Sequence, residues 1–74
     1  MNPVFEDEVT KMINEKFEGV NTVWFSGTLF IDFDYESEES EKTARSIWHF
    51  LVEKFGLEHI RISKYADNYA VDFV

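Results

Sequence analysis

The chain has 74 residues, a formal net charge of −8, thirteen aromatic side chains and no cysteine. That length allows one small domain, and the absence of cysteine excludes a disulfide scaffold, so density of the core must hold it, and large rings that bury roughly 150 to 250 Å² each can supply that density. The charge lies on one side: residues 1–41 carry eleven acidic and two basic side chains, residues 42–74 four acidic and five basic, and a field of that sign disfavours phosphate backbones and anionic membranes while favouring basic protein surfaces.

The first segment reads as a helix. Asn2 offers a cap with Pro3 at the first helical position, and Glu6, Asp7 and Glu8 set negative charge near the positive end of the dipole. Phe5, Val9, Met12, Ile13 and Phe17 recur at helical spacing as one apolar stripe, and Gly19 permits the left-handed residue that ends it. Dipole compensation on a solvated surface is the plain reading of the acidic triplet.

Two strands follow, Thr22 to Phe25 and Thr28 to Tyr35, joined by Ser26-Gly27 as a two-residue turn. That loop length sets Phe25 opposite Thr28, Trp24 opposite Leu29 and Val23 opposite Phe30, which sorts the side chains onto two faces. Trp24, Leu29, Ile31, Phe33 and Tyr35 belong to a core face. Val23, Phe25 and Phe30, with Asp32 and Asp34, belong to the other, and three apolar side chains grouped on an outward face mark a candidate contact surface.

A second helix is capped by Ser37 or Ser40, opens on Glu38, Glu39 and Glu41, and carries Ala44, Ile47, Trp48, Leu51 and Phe55 as its stripe before Gly56. Asp34, Glu36, Glu38, Glu39 and Glu41 fall within eight positions. A solvated helix cap accounts for some of these carboxylates; more of them stand together than the dipole needs, and they repel one another. They form the candidate partner-binding patch.

The last segments, Glu58 to Ser63 and Asn68 to Phe73, alternate as strands across Lys64-Tyr65-Ala66-Asp67, a longer loop than the first. Ile60 and Ile62 face one way and Arg61 the other, with Tyr69, Val71 and Phe73 inward and Asp72 outward near Arg61. Glu15-Lys16-Phe17 before one hairpin matches Glu53-Lys54-Phe55 before the next, and Val9, Met12 and Ile13 align with Ile47, Phe50 and Leu51 at the same offset. A helix-hairpin unit written twice, about 2–35 and 37–74, cannot bury its apolar face alone and needs the other to cover it. The expected fold is therefore α+β: a single domain, a two-layer sandwich of pseudo-repeated α-β-β-α-β-β order, a permuted ferredoxin-like arrangement, its four-stranded antiparallel sheet covered by two helices on one face. The second strand of each hairpin is expected at the centre, with Asp32 and Asp72 approaching on the open face.

Chemistry finds little support in these residues. Asp32 with Asp72, or Asp32, Asp34 and Glu36, could hold a cation, but an outer strand face explains them and no glycine-turned calcium loop is present. His49 and His59 have no metal-ligand spacing, and no serine sits in a glycine-flanked elbow. No catalytic residue, cofactor or metal is therefore expected. Phe25 and Phe30 on an open sheet would suit base stacking, but Asp32, Asp34 and Asp72 on that face oppose phosphates. No signal peptide or span of about 18 apolar residues is evident, so a soluble, cytoplasmic protein is expected, inside the host cell if its source is viral.

Two functions are compatible with this. One is a non-enzymatic acidic module that binds a basic surface of a nucleic-acid-handling protein by imitating phosphate spacing, inhibiting it without chemistry. The other is a small structural protein that self-associates as a homodimer through Val23, Phe25 and Phe30. In size and acidity, though in no motif, the chain is similar to phage-encoded inhibitors of host defence, anti-restriction and anti-CRISPR proteins among them.

Overall fold

The computed structural model describes residues 3–34, 38–65 and 68–74. Helix α1 (Pro3–Lys16) leads into strands β1 (Val20–Phe25) and β2 (Thr28–Phe33); helix α2 (Glu38–Phe55) and a 3-10 turn (Leu57–His59) lead into β3 (Ile60–Lys64) and β4 (Tyr69–Phe73). All strand pairings are antiparallel and the sheet order is β1-β2-β4-β3. The second strand of each hairpin thus lies at the centre, as expected. Asn2, Tyr35, Glu36, Ser37, Ala66 and Asp67, to which the sequence reading gave roles or a place in a strand or loop, lie outside the described residues.

The first hairpin has the register that its turn demands: Phe25 opposes Thr28, Trp24 opposes Leu29 and Val23 opposes Phe30. Ser26 and Gly27 take φ of 50° and 81°, the pair of left-handed residues whose twist matches that of the flanking strands. Strand β1 begins two residues before its predicted start, because Gly19, at φ 71°, accepts a bond from the Asp34 amide at 3.0 Å and extends the ladder past Val20. Strand β3 starts later than predicted. Leu57–His59 form a 3-10 turn, closed by the His59 amide on the Gly56 carbonyl at 3.1 Å. Helix α2 begins at Glu38, so Ser40 belongs to its first turn and is not its cap.

One apolar cluster joins the two helices to one face of the sheet. Val9 and Ile13 of α1, Ile47 and Leu51 of α2, and Leu29, Ile31, Ile60 and Val71 of the strands are all buried in it. Rings close its margins: Phe5 packs on Phe55 and Phe73 with centroids 5.4 Å away in both cases, Trp24 lies 5.5 Å from Phe73, and Phe33 meets Tyr69 edge-on at 5.9 Å. These separations favour tilted and edge-to-face pairs, which add to area burial in a domain of this size. Trp24 is further fixed by its indole N–H, which donates to the Thr10 hydroxyl at 2.8 Å and ties α1 to β1. Among the described residues no buried side-chain polar atom lacks a hydrogen-bond partner.

Candidate functional site

The uncovered face of the sheet can be laid out from the register. In one row across β1, β2, β4 and β3 stand Phe25, Thr28, Asp72 and Arg61; in the next Val23, Phe30, Ala70 and Ser63; in the third Asn21 and Asp32. Val23 and Phe25 are 63% and 70% exposed, large values for residues in the middle and at the end of a strand. Phe30 is only half-buried in solvent terms, because it stands between Val23 and Ala70 on an inner strand. The predicted trio of exposed apolar residues is therefore an exposed pair backed by a partly covered ring. Together with Asn21, Asp32 and Asn68 these three line a shallow depression.

Asp32 and Asp72 do not approach one another, contrary to the expectation. The central strands run antiparallel with Phe30 opposite Ala70 and Thr28 opposite Asp72, so equivalent positions of the two hairpins fall at opposite ends. Asp72 is four residues along β2 from the level of Asp32, on the order of 13 Å at the usual rise per residue. Each carboxylate is instead satisfied locally: the Thr28 hydroxyl donates to Asp72 at 2.6 Å, and Asp32 accepts the Phe33 amide at 2.8 Å. Arg61 faces Asp72 across the strands. Among the described residues no group of three or more His, Asp or Glu is placed to hold a metal ion.

The described residues of the predicted acidic patch begin at the other end of the first hairpin. Asp34 follows β2, is exposed, and accepts the Asn21 side-chain amide at 2.9 Å. Glu38, Glu39 and Glu41 occupy the first turn of α2 and are all exposed, where the partial positive charge of the helix end favours them. Glu36 lies outside the described residues. The patch is not uniformly negative, since Lys42 and Arg45 border one concavity with Glu38 and Glu41. Phe25 and Asp34 stand at opposite ends of the hairpin, roughly 20 Å apart at 3.3 to 3.4 Å per residue. Of the residues chosen from sequence, the described ones are thus spread from the turn of the hairpin to the start of α2.

A cleft that sequence reasoning missed opens between α2 and the β3–β4 edge. It has a volume of about 370 Å³ and is lined by Glu41, Ala44, Arg45, Trp48, His49, Ile62, Ser63, Lys64 and Tyr69. Its signal in sequence was Arg45, Trp48 and His49 at helical spacing, but only the strand register brings Lys64 and Tyr69 to meet them. His59 is likewise placed by a contact beyond its neighbours, its Nδ1 lying 2.7 Å from the Val74 carbonyl oxygen, while its Nε2 is 3.5 Å from the adjacent Glu58.

No family model, curated protein or solved structure matches the chain significantly. Its surfaces are the ground for a functional reading. No helix among the described residues is long and apolar enough to cross a membrane.

Proposed function

We propose that this chain is a non-enzymatic, acidic protein-binding module of the cytoplasm that docks on a basic surface of a nucleic-acid-handling protein, presenting carboxylates where that surface expects phosphates. The observation that carries the reading is the exposed set Asp34, Glu38, Glu39 and Glu41 at the junction of β2 and α2. Charged side chains held on the ends of rigid elements keep their spacing, which is what imitation of a phosphate backbone requires, and such a field speeds encounter with a basic partner. Among the described residues the one ion pair is the weak His59–Glu58 contact at 3.5 Å, so none of these carboxylates is held in an ion pair, although Lys42 and Arg45 stand beside Glu38 and Glu41. The architecture suits the role: two helix-hairpin units, read as a pseudo-repeat of permuted ferredoxin-like type, give a small rigid scaffold.

A second reading rests on Val23 and Phe25. Their exposure of 63% and 70% fits a sheet face that self-associates, with the charge keeping a structural protein soluble.

The two are separated by affinity capture of the tagged protein from nuclease-treated lysate of its source or host. Glu38, Glu39 and Glu41 are replaced by Lys in one variant and by Gln in a second, and circular dichroism checks that α2 persists. The docking reading expects a basic nucleic-acid-binding protein with the wild type, less with the Gln variant and none with the Lys variant. Recovery unaffected by either variant overturns it, and a homodimer abolished by Phe25→Ser and Phe30→Ser with no charge-dependent partner recovered favours self-association instead.

A further inference from the structure

The two edges of the sheet are protected unequally. Unpaired strand edges invite pairing with another chain, and natural sheets blunt them with charge, especially Lys. Strand β3 has Arg61 and Lys64 within five residues. Strand β1, with the sequence VNTVWF, has six residues, no charge and no proline.

The hydrogen-bond phase shows which groups of β1 are open. The Asp34 amide donates to Gly19 at 3.0 Å in the same register that pairs Asn21 with Asp32. Bonded positions alternate along an antiparallel pair, so Asn21, Val23 and Phe25 direct their backbone groups to β2. Val20, Thr22 and Trp24 direct theirs away from the sheet, and among the described residues no backbone bond reaches them from outside. Three donors and three acceptors at a spacing of two residues make a template for one added strand.

The surroundings state what that strand carries. Glu18, Asp32 and Asp34, all exposed, stand round the Val20 end of β1, while Val23 and Phe25 expose apolar surface on its open-face side. An arriving strand therefore meets carboxylates at one end and apolar side chains along one face. A second copy of this chain offers an uncharged strand, which brings no cation to these carboxylates, and it carries the same net charge of −8, which opposes self-pairing.

We propose that β1 is a docking edge that takes up an extended, basic segment of a partner protein as a fifth strand, with alternate apolar residues of the segment against Val23 and Phe25 and its Lys or Arg side chains near Glu18, Asp32 and Asp34. This rests on the protein-binding reading above and adds the element through which the partner is held.

The probe is a synthetic eight-residue peptide, Thr-Lys-Thr-Lys-Thr-Val-Thr-Val, which sets Lys and Val along one face of a strand, titrated into the full chain, with the same peptide carrying Glu in place of Lys as the Glu/Val control. Amide hydrogen exchange is followed residue by residue. Expected are binding of the Lys/Val peptide, slowed exchange at Thr22 and Trp24, and affinity at least tenfold lower for the Glu/Val peptide. Thr22→Pro removes an outward donor without touching the β2 ladder and weakens binding about tenfold; Val23→Lys, at an exposed site outside the core, does the same should the proline variant fail to fold. Absence of binding, equal affinity for both variants, protection elsewhere than β1, or a dimer of the protein alone that Thr22→Pro dissolves each overturns the proposal. Capture that fails for the Glu38, Glu39 and Glu41 Lys variant but persists for Thr22→Pro sinks the edge alone and leaves the acidic docking reading standing.

Discussion

The indole N–H of Trp24 donates to the hydroxyl of Thr10 across the α1–β1 interface at 2.8 Å, in partly buried surroundings. Trp24 also packs on Phe73 at 5.5 Å, so one side chain joins α1, β1 and the last strand. Replacing Thr10 with Val keeps the shape and removes the acceptor, which leaves a partly buried donor unpaired at a cost of about 1 to 3 kcal/mol. In a domain of this length each kcal/mol lowers Tm by roughly 4 to 8 °C. Thermal unfolding followed by Trp fluorescence reads the difference, and an unchanged Tm would show that the bond contributes nothing.

Gly27 tests the turn. Its φ is 81° and a Cβ built there meets no atom within 4 Å. The cost of Gly27→Ala is therefore one of backbone conformation alone, about 1 to 2 kcal/mol for an L-residue forced into the left-handed region. Ser26 stands at φ 50°, a position where Asn is better tolerated, so Ser26→Asn is expected to raise stability by a few tenths of a kcal/mol. Urea denaturation of both variants checks the opposite signs.

Most of the scaffold was legible from sequence because the signals were local. The Ser26-Gly27 loop dictated the hairpin register, the stripes of α1 and α2 named Val9, Ile13, Ala44, Ile47 and Leu51 as inward, and all five are buried. What failed depended on geometry between units. The distance from Asp32 to Asp72 follows from the point about which β2 and β4 cross, fixed by Phe30 opposite Ala70, and no spacing within either hairpin encodes it. For the same reason the Trp48–Tyr69 cleft and the separation of Phe25 from Asp34 were not foreseen. The partial cover of Phe30 arises from its place on an inner strand, which alternation along one strand does not reveal.

Leu51 is fully buried in the cluster shared by both helices and the sheet. Leu51→Ala is expected to cost about 2 to 5 kcal/mol, a transfer loss plus a cavity. Since small domains are marginal, this variant should be largely unfolded at 37 °C. A cooperative transition within a few degrees of wild type would mean that the two helix-hairpin units do not rely on one core.

Salt should stabilise this protein. Its net charge is −8, and the one ion pair among the described residues is exposed on both sides, so screening relieves more repulsion than it removes attraction. The urea midpoint is expected to rise between about 10 mM and 150 mM NaCl, as the Debye length shortens from about 30 to about 8 Å. A fall would point to attractive charge networks that the structure does not display.

Phosphate imitation is tested most directly by competition on the partner recovered by capture. Increasing duplex DNA is added to the purified complex, and the protein is added to the partner–DNA complex, with both displacements followed by fluorescence anisotropy. Mutual exclusion is expected in both directions, weakened by the Glu38, Glu39 and Glu41 Lys variant. A ternary complex in which DNA and this protein are held together would contradict it.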